Sequence, residues 1–174
     1  MKHDYIILTE HLRLRQVQFH DIFYIMEWRN NEETRKWFLN STIITREEQA
    51  LWYKEYLEND NDIMFIIEER INTHNILGTI ALTDISSDNH SAQAGRFMIG
   101  NLNSRGKGIG FESMAAVCEF GFNTLKLDKI YSRVYEDNKS SLKVFNKVRF
   151  KTIGKEYLEN NRNILILENH SGLI

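Results

Sequence analysis

The run Arg105-Gly106-Lys107-Gly108-Ile109-Gly110 constrains this chain more than any other stretch. It follows an apolar, strand-like segment, Phe97-Met98-Ile99-Gly100, and leads into a helix-like one, Phe111 to Thr124. Three glycines leave the backbone free to take φ > 0 and let a ligand come close to the N–H groups. Where a helix begins, those groups present a partial positive charge. Successive N–H donors in such a turn form a nest for anionic oxygens. Arg105 and Lys107 add full positive charge. The stretch reads as a phosphate cradle, against the alternative of an ordinary glycine-rich turn.

Two familiar cradles do not fit. A P-loop needs G-x-x-x-x-G-K-[ST], and no such string occurs. A Rossmann fingerprint needs G-x-G-x-x-G, usually in the first βα unit of its domain. Here the spacing is G-x-G-x-G, and about 100 residues precede it.

The rest of the chain narrows the setting. Its 174 residues suit a single domain, 1–174. With 42% hydrophobic and 26% charged residues, a globular soluble chain is expected. A net charge of −2 offers no bulk attraction to nucleic acid, so no nucleic-acid partner is expected. No apolar run reaches the ~20 residues of a membrane span. Tyr5-Ile6-Ile7-Leu8 behind one lysine and Asp4 is no signal peptide, so no membrane partner and a cytoplasmic location are expected. Cys118 cannot form an internal disulfide and reads as a small buried hydrophobe. The six histidines lack the i, i+4 pairing of a helical metal site, and no metal is expected. Aromatic-rich helices could pack a homodimer or a monomer core.

Periodicity sets the element order. Leu12, Leu14 and Val17 mark a first strand. Asp21 is placed to cap a helix through Ile22, Ile25 and Met26 that runs to Asn30. Thr45 and Glu48 form a capping box before Leu51, Trp52, Tyr53, Tyr56 and Leu57. Strands follow at Met64 to Ile67, Leu77 to Leu82 and Gln93 to Ile99, with a turn at Asn72 to Asn75 and a polar loop from Asp84 to His90. After the glycine run and its helix come a strand, Lys129 to Tyr135, and a short helix, Asn138 to Val148. Lys151 to Tyr157 and Asn163 to Leu167 read as a hairpin across Glu159 to Arg162. With no proline present, turns fall to Asn, Asp, Gly and Ser. This order suits a single mixed α/β sheet with helices on both faces.

A second motif makes the glycine run specific. Asn138-Lys139-Ser140-Ser141 opens the short helix and Lys147-Val148-Arg149-Phe150 closes it, about 30 residues further on. R-x-x-G-x-G between strand and helix, followed by N-x-x-[SA] … K-x-G-F, resembles the GNAT acetyltransferases, which hold acetyl-CoA. The resemblance spans about Leu12 to Glu168. It implies a central, mostly antiparallel sheet in which two strands splay apart, here Phe97-Met98-Ile99 and Ile130 to Tyr135. Acetyl-CoA, as co-substrate, would lie between them against Phe97, Met98, Ile99, Arg105, Gly106, Lys107, Gly108, Ile109, Gly110, Asn138, Ser141, Phe145 and Lys147. A backbone N–H near Met98 or Ile99 would polarise its carbonyl. For Asn138 and Ser141 alone, helix capping is the plainer use.

Trp28-Arg29-Asn30, then Arg35-Lys36-Trp37-Phe38, is similar to acetyltransferases of ribosomal-protein N-termini and of nucleotide-linked amino sugars. That likeness implies an acceptor wall formed by Trp28, Arg29, Asn30 and Trp37. The aromatics suit a core equally well, whereas Arg29 is hard to bury without a partner. Three departures stand out. The frequent acid tyrosine is Phe145. The frequent strand glutamate is replaced in the Gln93-Ala94 neighbourhood. The glycine before the final Phe is Arg149, where φ > 0 would be strained. In the ribosomal-protein branch a serine and a Glu-Tyr-Leu glutamate do the proton work, which implies Ser141 as acid and Glu156 as base. Tyr135 and Glu136 are reserves, and a solvent-facing Glu156 is the plainer alternative. The expected reaction is acetyl transfer to a primary amine, most readily that of a nucleotide-linked amino sugar. A protein N-terminus as acceptor, a CoA-binding module without catalysis and an unrelated phosphate-binding protein are the alternatives. A nucleotide acceptor predicts a basic, aromatic-lined groove, and a peptide acceptor an open, acidic one.

Overall fold

The computed structural model describes residues 3–71, 75–158 and 162–172. Eight strands form one sheet: β1 (Ile6–Leu8), β2 (Leu12–Gln16), β3 (Ile63–Glu69), β4 (Ile76–Ser86), β5 (Ser91–Ile99), β6 (Lys129–Tyr135), β7 (Lys151–Tyr157) and β8 (Asn163–His170). Their order is β1-β2-β3-β4-β5-β6-β8-β7. Every neighbouring pair is antiparallel except β5–β6. The helices are α1 (Ile22–Asn30), α2 (Glu32–Arg35), α3 (Arg46–Glu58), α4 (Ile109–Asn123) and α5 (Lys139–Lys147). The mixed α/β sheet with helices on both faces is the expected architecture. The anticipated turns at 72–75 and 159–162 fall largely outside the described residues.

Strand alternation builds two cores. Along β3, Phe65 and Ile67 join Met114, Val117 and Cys118 of α4 on one face. Met64 and Ile66 join Ile22 and Ile25 of α1 and Tyr56 of α3 on the other. A strand covered on both faces has no polar side, so Ile63 to Ile67 is uniformly apolar and buried. Thr45 accepts from the Glu48 amide while Glu48 reaches back to Thr45, as the capping box predicts. Of the apolar residues along α3, Tyr56 is buried while Leu51 and Leu57 are exposed.

The Asp21 cap is corrected. A short 3₁₀ turn, Phe19–Asp21, precedes α1, and Asp21 makes no cap bond to it. Its fully buried carboxylate instead receives the Arg15 guanidinium at 2.6 and 2.9 Å. Arg15 also donates to Glu68 at 2.5 Å. A buried carboxylate needs a counter-ion more than a helix end exposed to water needs a cap. β1 and α2 were not foreseen, and β4 runs on through Asp84 to Ser86, beyond the expected loop boundary.

Arg149 keeps the left-handed conformation, φ +67°. It sits one residue past the C-cap of α5. Its amide donates to Asn146 and the Phe150 amide to Phe145, at 3.1 and 3.0 Å. The Phe145 and Phe150 rings meet edge-on at 4.8 Å. This is a Schellman ending with its apolar contact, the setting in which glycine is preferred.

Candidate active site

The gap between β5 and β6 organises the site. The two strands pair only at Ser91 to Gln93 with Lys129 to Tyr131. Beyond Gln93 they part, and the Ser132 hydroxyl donates to the Ala94 carbonyl at 2.8 Å where pairing ends. On its other edge β5 carries a bulge. Thr79 faces Met98 and Ala81 faces Gly95, so Arg96 and Phe97 together stand opposite Ile80. Arg96 takes φ +45°, and the buried Thr79 hydroxyl donates to its carbonyl at 2.7 Å.

The bulge aims one amide. In an uninterrupted strand, carbonyls two residues apart point the same way. Ala94 points its carbonyl toward β6, but Arg96 points its own toward Thr79 of β4. Across a trans peptide the Phe97 N–H lies antiparallel to the Arg96 carbonyl, hence toward the gap. The Phe97 N–H thus joins the expected N–H near Met98 or Ile99 as a candidate to polarise a bound carbonyl.

At the far end of the gap lies the glycine loop. Gly106 and Gly108 take φ +79° and +86°, and Gly108 is the residue before α4. A Cβ on either would meet nothing within 4 Å, so the concavity they line is open where an anion would approach. Gly110 differs: its Cβ would press on Phe97 at 3.1 Å and Val144 at 3.4 Å. Arg105 holds the loop in place, donating to the Ile99 carbonyl at 3.0 Å and the Thr34 hydroxyl at 3.1 Å. Lys107 is exposed, and Ile109 begins α4.

Asn138 caps α5, accepting from the Ser141 amide at 3.1 Å. A cleft of about 470 Å³ joins Gly106, Gly108 and Gly110 to Ile99, Ser141 and Lys147. A second cavity, about 690 Å³, lies on the α1–α3 side. Trp37, Phe38, Phe97, Met98, Asn138 and Ser141 line both, so the two meet across the gap. Phe145 closes the second cavity and cannot donate a proton.

The larger cavity is basic and aromatic. Arg29, Arg96 and Arg133 line it, with Trp37 and Trp52, against one carboxylate, Glu48. Glu48 is engaged with Thr45, whose N–H holds its pKa below the usual value. Arg96 pairs with buried Asp62 and Arg133 with Glu156. Arg29 forms no ion pair among the described residues. It donates to the Asn40 carbonyl at 2.7 Å, lies 3.8 Å over the Phe38 ring, and keeps Nη1 buried without a partner. Burial lowers its pKa.

The remaining sequence candidates take varied places. Trp28 packs flat on Gly100, where a Cβ would fall 1.9 Å from the indole. Asn30 exchanges two 2.8 Å hydrogen bonds with the Ile44 backbone and so pins the segment carrying Trp37 and Phe38. Neither of these two residues lines the larger cavity. Glu156 lies behind Arg133. Glu136 is tied to Lys155 and Asn163. Sequence reasoning missed Thr79, Asp62, Arg96 and Arg133; a polar residue inside an apolar strand was the one available signal for Thr79. Among the described residues no cluster of His, Cys, Asp or Glu is placed to hold a metal, and no helix is long and apolar enough to cross a membrane.

The acetyltransferase (GNAT) domain matches residues 11–151. The chain belongs to the GNAT acetyltransferase family. This makes it an acetyl-CoA-dependent acyltransferase domain. It is 27% identical over 157 residues to an uncharacterized N-acetyltransferase p20 of Bacillus licheniformis, covering 85% of this chain and 83% of that one. To an N-acetyltransferase 9-like protein of Caenorhabditis briggsae it is 30% identical over 128 residues, 70% of this chain but 64% of that protein's length. The GNAT fold is shared with Vibrio cholerae spermidine N-acetyltransferase in complex with CoA and spermine. The TM-score is 0.84 at 19% identity, covering 93% and 96% of the two chains.

Proposed function

We propose that this GNAT domain transfers the acetyl group of acetyl-CoA to the primary amine of a nucleotide-linked amino sugar. The observation that carries the choice of acceptor is Arg29, a guanidinium of the larger cavity with no ion pair among the described residues. Arg96 and Arg133 line the same cavity, each paired with a carboxylate, Asp62 and Glu156, and two tryptophans add ring faces. A polyamine or a cationic peptide end would meet repulsion there. A diphosphate linked to a base and a sugar would find charge-assisted donors and ring faces. Arg29, without a counter-ion, is the group that an acceptor anion would satisfy.

In this reading the glycine loop takes the pyrophosphate and the gap takes the pantetheine arm, as an added strand would. The Phe97 N–H stabilises negative charge on the thioester oxygen. The amine nitrogen forms the new C–N bond and the C–S bond breaks. Ser141, at the junction of the two cavities, gives the departing thiolate its proton. Glu156, paired with Arg133 at the edge of the larger cavity, accepts the proton from the amine. Positioning across the gap supplies much of the acceleration.

Thiol release from acetyl-CoA, measured with UDP-glucosamine, spermidine and an alanine-terminated peptide as separate acceptors, tests the reading. UDP-glucosamine is expected to give the highest kcat/KM. Preference for spermidine or the peptide would overturn the acceptor assignment.

A further inference from the structure

Arg96 is held in an unfavourable conformation from three directions. An arginine at φ +45° sits where glycine is the usual occupant, although a glycine, Gly95, stands immediately before it. Such residues persist only where their surroundings over-determine them. Here the Thr79 hydroxyl fixes the Arg96 carbonyl. Asp62, 2% exposed just before β3, takes the guanidinium. Trp52 of α3 lies 5.4 Å from the same group. The second Asp62 oxygen, Oδ1, is buried without a partner, so this carboxylate depends on Arg96.

The residue after Arg96 supplies the amide that points into the gap. We propose that the Asp62–Arg96 ion pair is a positioning device that holds the β5 bulge and thereby aims the Phe97 N–H at the acetyl carbonyl. This rests on acetyl-CoA lying in the gap. Asp62, just before β3, and Trp52, on α3, lie on the acceptor side, so the clamp ties the acceptor wall to the carbonyl-polarising amide. Without it, the strand relaxes toward regular pairing. The alternation then returns an acceptor carbonyl, in place of a donor, to the gap.

The test uses acetyl-CoA labelled with ¹³C at the acetyl carbonyl, whose resonance reports polarisation without any amine present. In the wild-type protein the resonance is expected to move downfield on binding. Asp62→Asn and Arg96→Gly, the latter free to keep φ > 0, should bind acetyl-CoA within about twofold of wild type but lose that shift. In thiol-release assays their kcat should fall about tenfold or more with the KM for acetyl-CoA little changed, the pattern of a lost transition-state donor. Arg96→Lys should recover part of both signals, and the double variant should be no worse than either single one. A retained downfield shift, or losses that only track a falling Tm, would overturn the proposal. Absence of acetyl-CoA binding to the wild-type protein would instead remove the functional reading beneath it.

Discussion

Glu156, on the edge strand β7, reaches across β8 to the Arg133 guanidinium of β6. Arg133 faces the larger cavity and Glu156 stands behind it. In the proposed reaction Glu156 takes the proton from the amine. Glu156→Gln is therefore expected to lower kcat about 10²-fold, within the usual range for a lost base, while the acetyl-CoA dissociation constant stays within about twofold. Steady-state kinetics alongside calorimetric titration with acetyl-CoA checks this. Full turnover in the variant would remove Glu156 from the proton path.

Gly108 takes φ +86° beside open space, immediately before α4. Gly108→Val puts a branched side chain into the anion concavity and strains the backbone by about 1–2 kcal/mol. Acetyl-CoA affinity should fall at least about tenfold, since even one lost charge-assisted contact is worth about 1.5–3 kcal/mol. Titration calorimetry reads the loss.

Arg29 separates acceptors by charge. Arg29→Gln should lower kcat/KM for UDP-glucosamine by about tenfold or more, the worth of a hydrogen bond to a charged group. It should leave spermidine turnover unchanged or raised. Equal losses on both acceptors would show that Arg29 only braces the Asn40 segment.

Arg149 occupies the left-handed residue of the α5 Schellman ending. Arg149→Gly should stabilise the fold by about 1 kcal/mol, the left-handed penalty less the entropy glycine adds to the unfolded chain. Urea unfolding monitored by the tryptophans measures it.

Burial pushes the Cys118 thiol up to about 12, against a weaker hydrogen bond from Asn169. It pushes the Tyr56 phenol to about 12 as well. Both are acids whose folded pKa exceeds the unfolded one. The unfolded chain releases their protons first, so their contribution is fully present below about pH 9 and is lost as pH rises toward 12. Stability should decline across that window. Cys118 should resist a disulfide reagent at pH 8 until urea unfolds the chain.

Local signals made much of the fold legible. The Thr45–Glu48 box, the Asn138 cap and the apolar run of β3 each declare an element through neighbours in sequence. The glycine loop was legible for the same reason, since its function rests on consecutive backbone groups. What escaped depends on pairing between distant segments. Asp21 looked like a cap because its partner Arg15, itself bound to Glu68, is placed only once β2 and β3 align. The bulge at Arg96 is a register event between β4 and β5, and nothing in Gly95-Arg96-Phe97 alone announces it. The larger cavity draws Arg29, Arg96 and Arg133 from three elements, so which of them lacks a carboxylate emerges only once they converge.

Hydrogen exchange with and without acetyl-CoA tests the binding site most directly. The expected result is slowed exchange confined to peptides covering Phe97 to Ile99, Arg105 to Glu112 and Asn138 to Ser141, where the cleft, the gap and the start of α5 converge. Protection elsewhere, or none at the glycine loop at saturating acetyl-CoA, would contradict the placement of the pyrophosphate in this loop and of the thioester between β5 and β6.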